Sequence, residues 1–410
     1  MRREELRTPC FVVQEGKLRR NLEILRGICE ETGCKILLAQ KAFSMYRVYP
    51  LIGQYLDGTT ASGLYEARLG YEEMGKENHI FSPAYKEEEM PEILRLCGHI
   101  VFNSPAQVKK YKDQVKQAGR SMGLRINPEC STQEGHAIYD PCAPFSRLGT
   151  TLAKFEEEMT AEDIAALDGL HFHTLCEQNS DDLEKTLKAV EEKFGKYLYR
   201  MKWLNFGGGH HITRPDYDRD LLKRCIRHVK DTYGVEVYLE PGEAAALNAG
   251  ELITEVLEIV ENGMQIAVLD ASAACHMPDV LEMPYRPSLK DAGDPAEENA
   301  GGSGFAESSP SGSSSVGSGA VDSGTAGCVR PYVYRLAGPT CLAGDVIGDY
   351  SFGQPLRCGD RLEFQDMAIY TMVKTNTFNG MRLPDIVLER EDGTCEIVKT
   401  FGYEDFKARL

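Results

Sequence analysis

Four features of the chain have the residue types for carbonyl–amine chemistry. Lys41 lies just past the apolar run 35–40 (KILLAQ). Burial of its stem would lower the pKa of the amine and make it a nucleophile towards an aldehyde. A salt-bridged or snorkelling lysine is the alternative. Gly207, Gly208 and Gly209 stand between an apolar run and a polar stretch. Consecutive glycines let backbone N–H groups close around a phosphate, although they also make a plain tight turn. Glu240, in Glu-Pro-Gly, ends another apolar run. A carboxylate facing a pyridine nitrogen keeps that nitrogen protonated, so the ring can accept electrons. A helix N-cap or a surface acid would use the same residue. His173, in LHFHT, has the shape to lie flat on such a ring, or to be a hydrogen-bonded core histidine. His210 and His211 invite a metal reading, but adjacent side chains on extended backbone point opposite ways and rarely share an ion. We expect no metal.

The elements that would position these residues follow from the hydrophobic pattern. Apolar runs occur at 35–40, 56–61, 79–82, 99–103, 122–127, 169–174, 201–206 and 235–240, with amphipathic stretches such as 62–74, 86–97 and 180–194 between them. Strands alternating with helices imply parallel βαβ units, and eight of them imply a (β/α)8 barrel within an α/β fold. Such barrels carry their chemistry at the C-terminal ends of the strands, with phosphate sites commonly at strands seven and eight. Lys41 follows the first run and Arg125 lies in the fifth. His173 is in the sixth, the three glycines follow the seventh, and Glu240 ends the eighth.

An amphipathic helix over 17–31, marked by Leu18, Leu22, Leu25 and Cys29, precedes the barrel. Residues 8–13 read as a lone strand that must pair far along the chain. Beyond about residue 255 the helices stop, and runs at 265–270, 331–337, 361–364, 385–389 and 396–399 imply a second, mostly antiparallel β domain. The expected division is a barrel over 15–255, with 1–14 and 256–410 forming the β domain. Within 301–327, 17 of 27 residues are Gly or Ser. That composition cannot offset its ordering entropy, so 290–328 reads as a disordered insertion.

Bulk properties narrow the partners. A net charge of −17 argues against nucleic acid and mildly favours a cationic substrate. No apolar run reaches the ~18–20 residues of a membrane span. The charged first ten residues lack the apolar core of a secretory signal, so we expect a cytoplasmic protein without membrane contact. Thirteen cysteines occur without a C-x2-C pair, which fits reduced thiols rather than a zinc site or disulfide framework.

At the level of motifs the chain resembles the alanine-racemase-fold (fold type III) decarboxylases that use pyridoxal 5'-phosphate (PLP), a family that includes the ornithine, arginine and diaminopimelate enzymes. The stretches LLAQKAFS, DGTTASGLYEARLG, GLHFHTLCE, NFGGGHHITRPDYD, LEPGEA, HMPDVLEMPYRP, LAGPTCLAGD and DMAIYTMVK carry the likeness. Within the family the likeness is to the branch acting on carboxynorspermidine and carboxyspermidine. The resemblance implies that Lys41 holds the cofactor as a Schiff base and His173 stacks on its ring. It implies that Gly207, Gly208 and Gly209 bind the phosphate, Glu240 faces the pyridine nitrogen, and Tyr370 reaches the phosphate from the β domain. Cys341, in GPTC, would be donated across a homodimer interface as the acid that reprotonates the carbanion. Two positions depart from the better-known relatives. Glu243 follows Glu-Pro-Gly where they carry an arginine near the phosphate, and Leu342 follows Cys341 where they carry a substrate-binding acid. A polyamine-like amino acid carries distal ammonium groups, for which Asp279, Glu282 and Asp345 are the candidate acids. Arg286 is either structural or faces the substrate carboxylate.

Overall fold

A computed structural model describes residues 1–133, 139–295 and 330–410. It resolves into two compact units, Leu18–Leu247 and Met1–Lys17 with Asn248–Leu410.

The first unit is a closed eight-stranded parallel barrel. Its strands are β2 (Lys35–Ala39), β3 (Gly58–Ala61), β4 (Glu77–Phe81), β5 (His99–Phe102), β6 (Ser121–Arg125), β7 (Gly169–His171), β8 (Trp203–Asn205) and β9 (Glu236–Leu239). Each coincides with one of the eight expected runs. The barrel closes where Lys35 and Ile36 pair with Tyr238 and Leu239. Aromatic rings pack its interior: His79 stacks on His99 at 3.9 Å between ring centroids, and Trp203 and Tyr238 lean on the same pair. Gly169 makes room for Trp203, since a Cβ there would stand 2.0 Å from the indole.

The helices follow ordinary rules. That of Ser180–Leu198 buries Leu183, Leu187, Val190, Phe194 and Leu198, one stripe at helical spacing. That of Arg219–Tyr233 begins where Asp218 accepts from the Leu221 N–H and ends at Gly234, whose φ of +69° continues the chain left-handed.

The second unit is a nine-stranded sheet. The N-terminal strand β1 (Cys10–Gln14) lies between β10 (Gly250–Glu261), antiparallel, and β16 (Asp385–Glu389), parallel. The remaining strands are β11 (Gln265–Leu269), β12 (Ala292–Gly293), β13 (Tyr332–Ala337), β14 (Val346–Phe352), β15 (Arg361–Gln365) and β17 (Cys395–Lys399). Most pairings are antiparallel, with β11 and β13 a second parallel pair. Phe11, Leu252, Leu269, Leu336 and Phe364 build its core.

Three sequence-based boundaries shift, the first because residues 15–17, expected in the barrel, fall in the sheet unit. Residues 248–255, expected in the barrel, belong to the sheet unit, because Gly250 to Ile253 pair with β1 and Glu251 to Glu255 with β15. Of the span expected as a disordered insertion, residues 290–295 enter the sheet unit, where Ala292 and Gly293 pair with Phe352 and Ser351. Residues 296–329, which include the Gly/Ser-rich stretch, lie outside the described residues. Among the described residues no helix is long and apolar enough to cross a membrane.

Candidate active site

Strand register assembles one end of the barrel. Arg125 pairs with His171, His171 with Asn205, and Asn205 with Tyr238. Glu240 lies two residues beyond Tyr238, so the period of two directs it to the same face.

Glu240 is buried. Its Oε1 accepts from Asn205 Nδ2 at 2.8 Å, and its Oε2 lies 3.3 Å from His171 Nε2. Burial opposes the charge, but the His171 and Asn205 contacts outweigh it and hold the carboxyl down at about 2. Burial lowers the pKa of His171 itself, and because it faces an ionised carboxylate its Nε2 carries the proton it donates. Its Nδ1 is buried with no partner among the described residues.

His173 is positioned by backbone. Its Nδ1 accepts from the Gly208 N–H at 3.1 Å, which places the ring proton on Nε2, and its carbonyl accepts from Arg125 Nη2 at 3.1 Å. Burial, and then the charges of Lys41 and Arg125, push its pKa well down. Arg125 is buried over the Phe81 ring at 4.6 Å; burial brings it to about 10, so it remains cationic at neutral pH.

Lys41 is accessible to solvent, yet so much protein surrounds it that its amine pKa is lowered. Burial is the main cause and Arg125 adds to it, while Glu240 and Glu243 oppose. An amine both accessible and desolvated suits a nucleophile towards an aldehyde.

The three glycines make a turn packed closely against the barrel's own backbone. Gly207 and Gly209 have φ of +71° and +82°. A Cβ on Gly207, Gly208 or Gly209 would come within 2.5 Å of the Phe172 carbonyl oxygen, 2.6 Å of the Glu240 carbonyl oxygen, or 2.1 Å of the Leu175 carbonyl oxygen. The N–H of Gly207 donates to Asn205 Oδ1 at 2.8 Å and that of Gly208 to His173, so both are engaged within the barrel.

The sheet unit carries the remaining expected residues. Tyr370 is held at φ +53°, an unusual conformation for a bulky side chain. Cys341 is exposed, its N–H donating to Asn379 Oδ1 at 2.7 Å. Asp345 does not present a free carboxylate: it is buried and accepts from Ser272 Oγ, the Ala274 N–H and Thr340 Oγ1. It shapes the GPTC turn instead. Asp279 and Glu282 both contact Lys374 Nζ, the latter at 3.4 Å. Arg286 contacts Asp294, donates to the Asp349 carbonyl at 2.9 Å and stacks on Tyr350 at 5.2 Å. Its surroundings are those of a structural residue.

Sequence reasoning passed over His171, Asn205 and Lys374. His171 stands two before His173 and therefore shares its face, a signal the strand period contained.

Comparison with known proteins identifies the family. Residues 10–368 match the pyridoxal-dependent decarboxylase family described by its C-terminal sheet domain. The chain belongs to the pyridoxal-dependent decarboxylases. It is 42% identical over 407 residues to a carboxynorspermidine/carboxyspermidine decarboxylase of Campylobacter jejuni, covering 99% of both chains. It is 39% identical to a carboxyaminopropylagmatine decarboxylase of Synechocystis sp. over 411 residues, 100% of this chain and 97% of that one. The crystal structure of a Campylobacter jejuni carboxynorspermidine decarboxylase complexed with norspermidine superposes with a TM-score of 0.84 at 41% identity, covering 99% of this chain and 100% of that one. The cofactor of this family is pyridoxal phosphate, and the barrel residues fit it. The fit rests on a desolvated amine and a buried ionised carboxylate at one end of the barrel, while each of the three glycines makes room for a backbone carbonyl of the barrel itself.

Proposed function

We propose that this enzyme decarboxylates carboxynorspermidine and carboxyspermidine to norspermidine and spermidine in polyamine biosynthesis. The observation that carries the chemistry is the barrel-end constellation of Lys41, His173 and the ionised Glu240. The 42% identity over 99% of the chain supports the substrate class.

Bound pyridoxal phosphate supplies the electron sink for the pair released when the Cα carboxylate leaves as CO2. Each residue then has a task. Lys41, its amine pKa lowered by burial, would hold the cofactor carbonyl through its Nζ and give way to the substrate amine. Glu240, charged throughout the working pH range, holds the proton on the ring nitrogen. His173, kept neutral and fixed by Gly208, presents its ring face to the cofactor. Gly207, Gly208 and Gly209 would hold the phosphate, and Arg125 would offset its charge. Tyr370 contributes a hydroxyl to the phosphate. The enzyme works as a homodimer in the cytoplasm, and Cys341 of the partner subunit returns the proton to Cα. Asp279 and Glu282 provide the negative wall for the distal ammonium groups, in competition with Lys374.

The test is CO2 release by purified protein from carboxynorspermidine, carboxyspermidine, carboxyaminopropylagmatine and diaminopimelate, with bound cofactor followed by absorbance. Highest kcat/KM on the first two supports the proposal. Preference for carboxyaminopropylagmatine or diaminopimelate overturns the substrate assignment, and no cofactor absorbance overturns the whole reading.

A further inference from the structure

An acid at position 243 is an odd neighbour for a phosphate. The acid is not alone. Glu243 is buried, and its Oε2 lies 3.2 Å from Nε2 of His211, which is also buried. The two side chains come from the two segments that flank the proposed phosphate site. His211 follows the glycine run after β8, and Glu243 follows Glu-Pro-Gly after β9. The same segments are joined twice more, by Thr213 Oγ1 donating to the Ala244 carbonyl at 2.7 Å and by the Glu240 N–H donating to the Gly207 carbonyl at 2.8 Å. His211 is also anchored through its own N–H to the Gln178 carbonyl.

We propose that His211 and Glu243 are positioning residues for cofactor phosphate: the imidazolium cancels the acid's repulsion and ties the glycine loop to the segment after β9. This rests on the pyridoxal-phosphate reading of the site. Among the described residues, Glu243, Glu177, Arg214 and the neighbouring His210 act on His211. Burial disfavours the imidazolium and Arg214 opposes it, but Glu243 and Glu177 prevail and its pKa is raised. A raised folded pKa means that the charged pair is complete at low pH and is lost as pH rises through that pKa. Cofactor affinity should fall with it.

Four proteins test this: wild type, His211→Gln, Glu243→Gln and the double variant. The measurement is the dissociation constant of added pyridoxal phosphate against pH, with NMR titration of His211 in the cofactor-free protein. His211→Gln leaves a buried carboxylate with at most a neutral donor and no balancing charge, and should weaken binding by about tenfold or more. Glu243→Gln and the double variant remove the acid, should bind within about threefold of wild type at low pH, and should lack the pH step. In cofactor-free Glu243→Gln, which buries no unpaired charge and guards against a His211→Gln that fails to fold, the His211 titration should move to lower pH. A double variant as weak as His211→Gln, a pH step that survives in it, or a His211 titration unmoved by Glu243→Gln overturns the proposal. Wild type that binds no pyridoxal phosphate instead overturns the functional reading beneath it.

Discussion

Replacing Glu240 by Gln tests the centre of the reading. The carboxyl is held at about 2 against an ordinary 4.5, a preference for the charged form of roughly 3 kcal/mol at about 1.4 kcal/mol per tenfold change. The folded value is depressed, so the charge and its stabilisation are present at neutral pH and disappear only as pH falls towards 2. The amide keeps the shape and removes the charge. Its oxygen can still accept from Asn205, while its NH2 group would face the His171 Nε2–H. His171 can resolve that clash by moving its proton to Nδ1, which has no partner among the described residues. The fold should therefore lose no more than about 2 kcal/mol. Catalysis should lose far more, because a neutral amide cannot keep the ring nitrogen protonated: kcat should fall by about 100- to 1,000-fold, the usual loss for one preorganised electrostatic partner. The assay is CO2 release from carboxynorspermidine at saturating substrate, with bound cofactor quantified by absorbance and folding by thermal melting. A loaded, folded variant within about threefold of wild-type kcat would show that Glu240 does not govern the ring, and the argument would fail.

Lys41→Ala should abolish the absorbance of covalently held cofactor and reduce CO2 release to background. Gly208→Ala would drive a methyl to 2.6 Å from the Glu240 carbonyl oxygen, so it should cost about 1–3 kcal/mol in urea denaturation and weaken cofactor retention on dialysis. Cys341→Ala should leave cofactor absorbance intact while product formation falls; unchanged turnover would remove the thiol from the mechanism. Lys374→Ala should lower KM for carboxynorspermidine by about threefold at constant kcat if Asp279 and Glu282 face substrate, because the competing cation is gone. An unchanged KM would assign both acids to the lysine alone.

The barrel was legible because its strands are short, apolar and regularly spaced, and because helix stripes such as that of Leu183, Leu187 and Val190 are unambiguous. The sheet unit was read less completely. Strand β10 was missed because its apolar residues Leu252, Ile253, Val256, Leu257, Ile259 and Val260 recur at helical intervals among four glutamates. Pairing with β1, β11 and β15 overrides that local pattern, as tertiary context commonly does for strands. Strand β14 carries Gly348 and Asp349 in its middle, and both residues disguise an otherwise apolar run.

In the candidate site, positions set by strand parity were legible and charge pairings were not. Lys41, His173 and Glu240 follow from where apolar runs end, since an inward position at the C-terminal end of a barrel strand has one place to point. No spacing rule pairs Glu243 with His211 across 32 residues, or Asp279 with Lys374 across 95. Yet these pairings decide what an acid does. Asp345, Asp279 and Glu282 are alike in sequence, each a carboxylate suited to an ammonium ion. Asp345 spends its oxygens on a turn, whereas Asp279 and Glu282 already hold an ammonium, that of Lys374. A pair of acids built to hold one primary amine has the charge and reach to hold another. The lysine contact therefore speaks for the recognition chemistry of Asp279 and Glu282, and Lys374→Ala separates an occupied substrate wall from a structural ion pair.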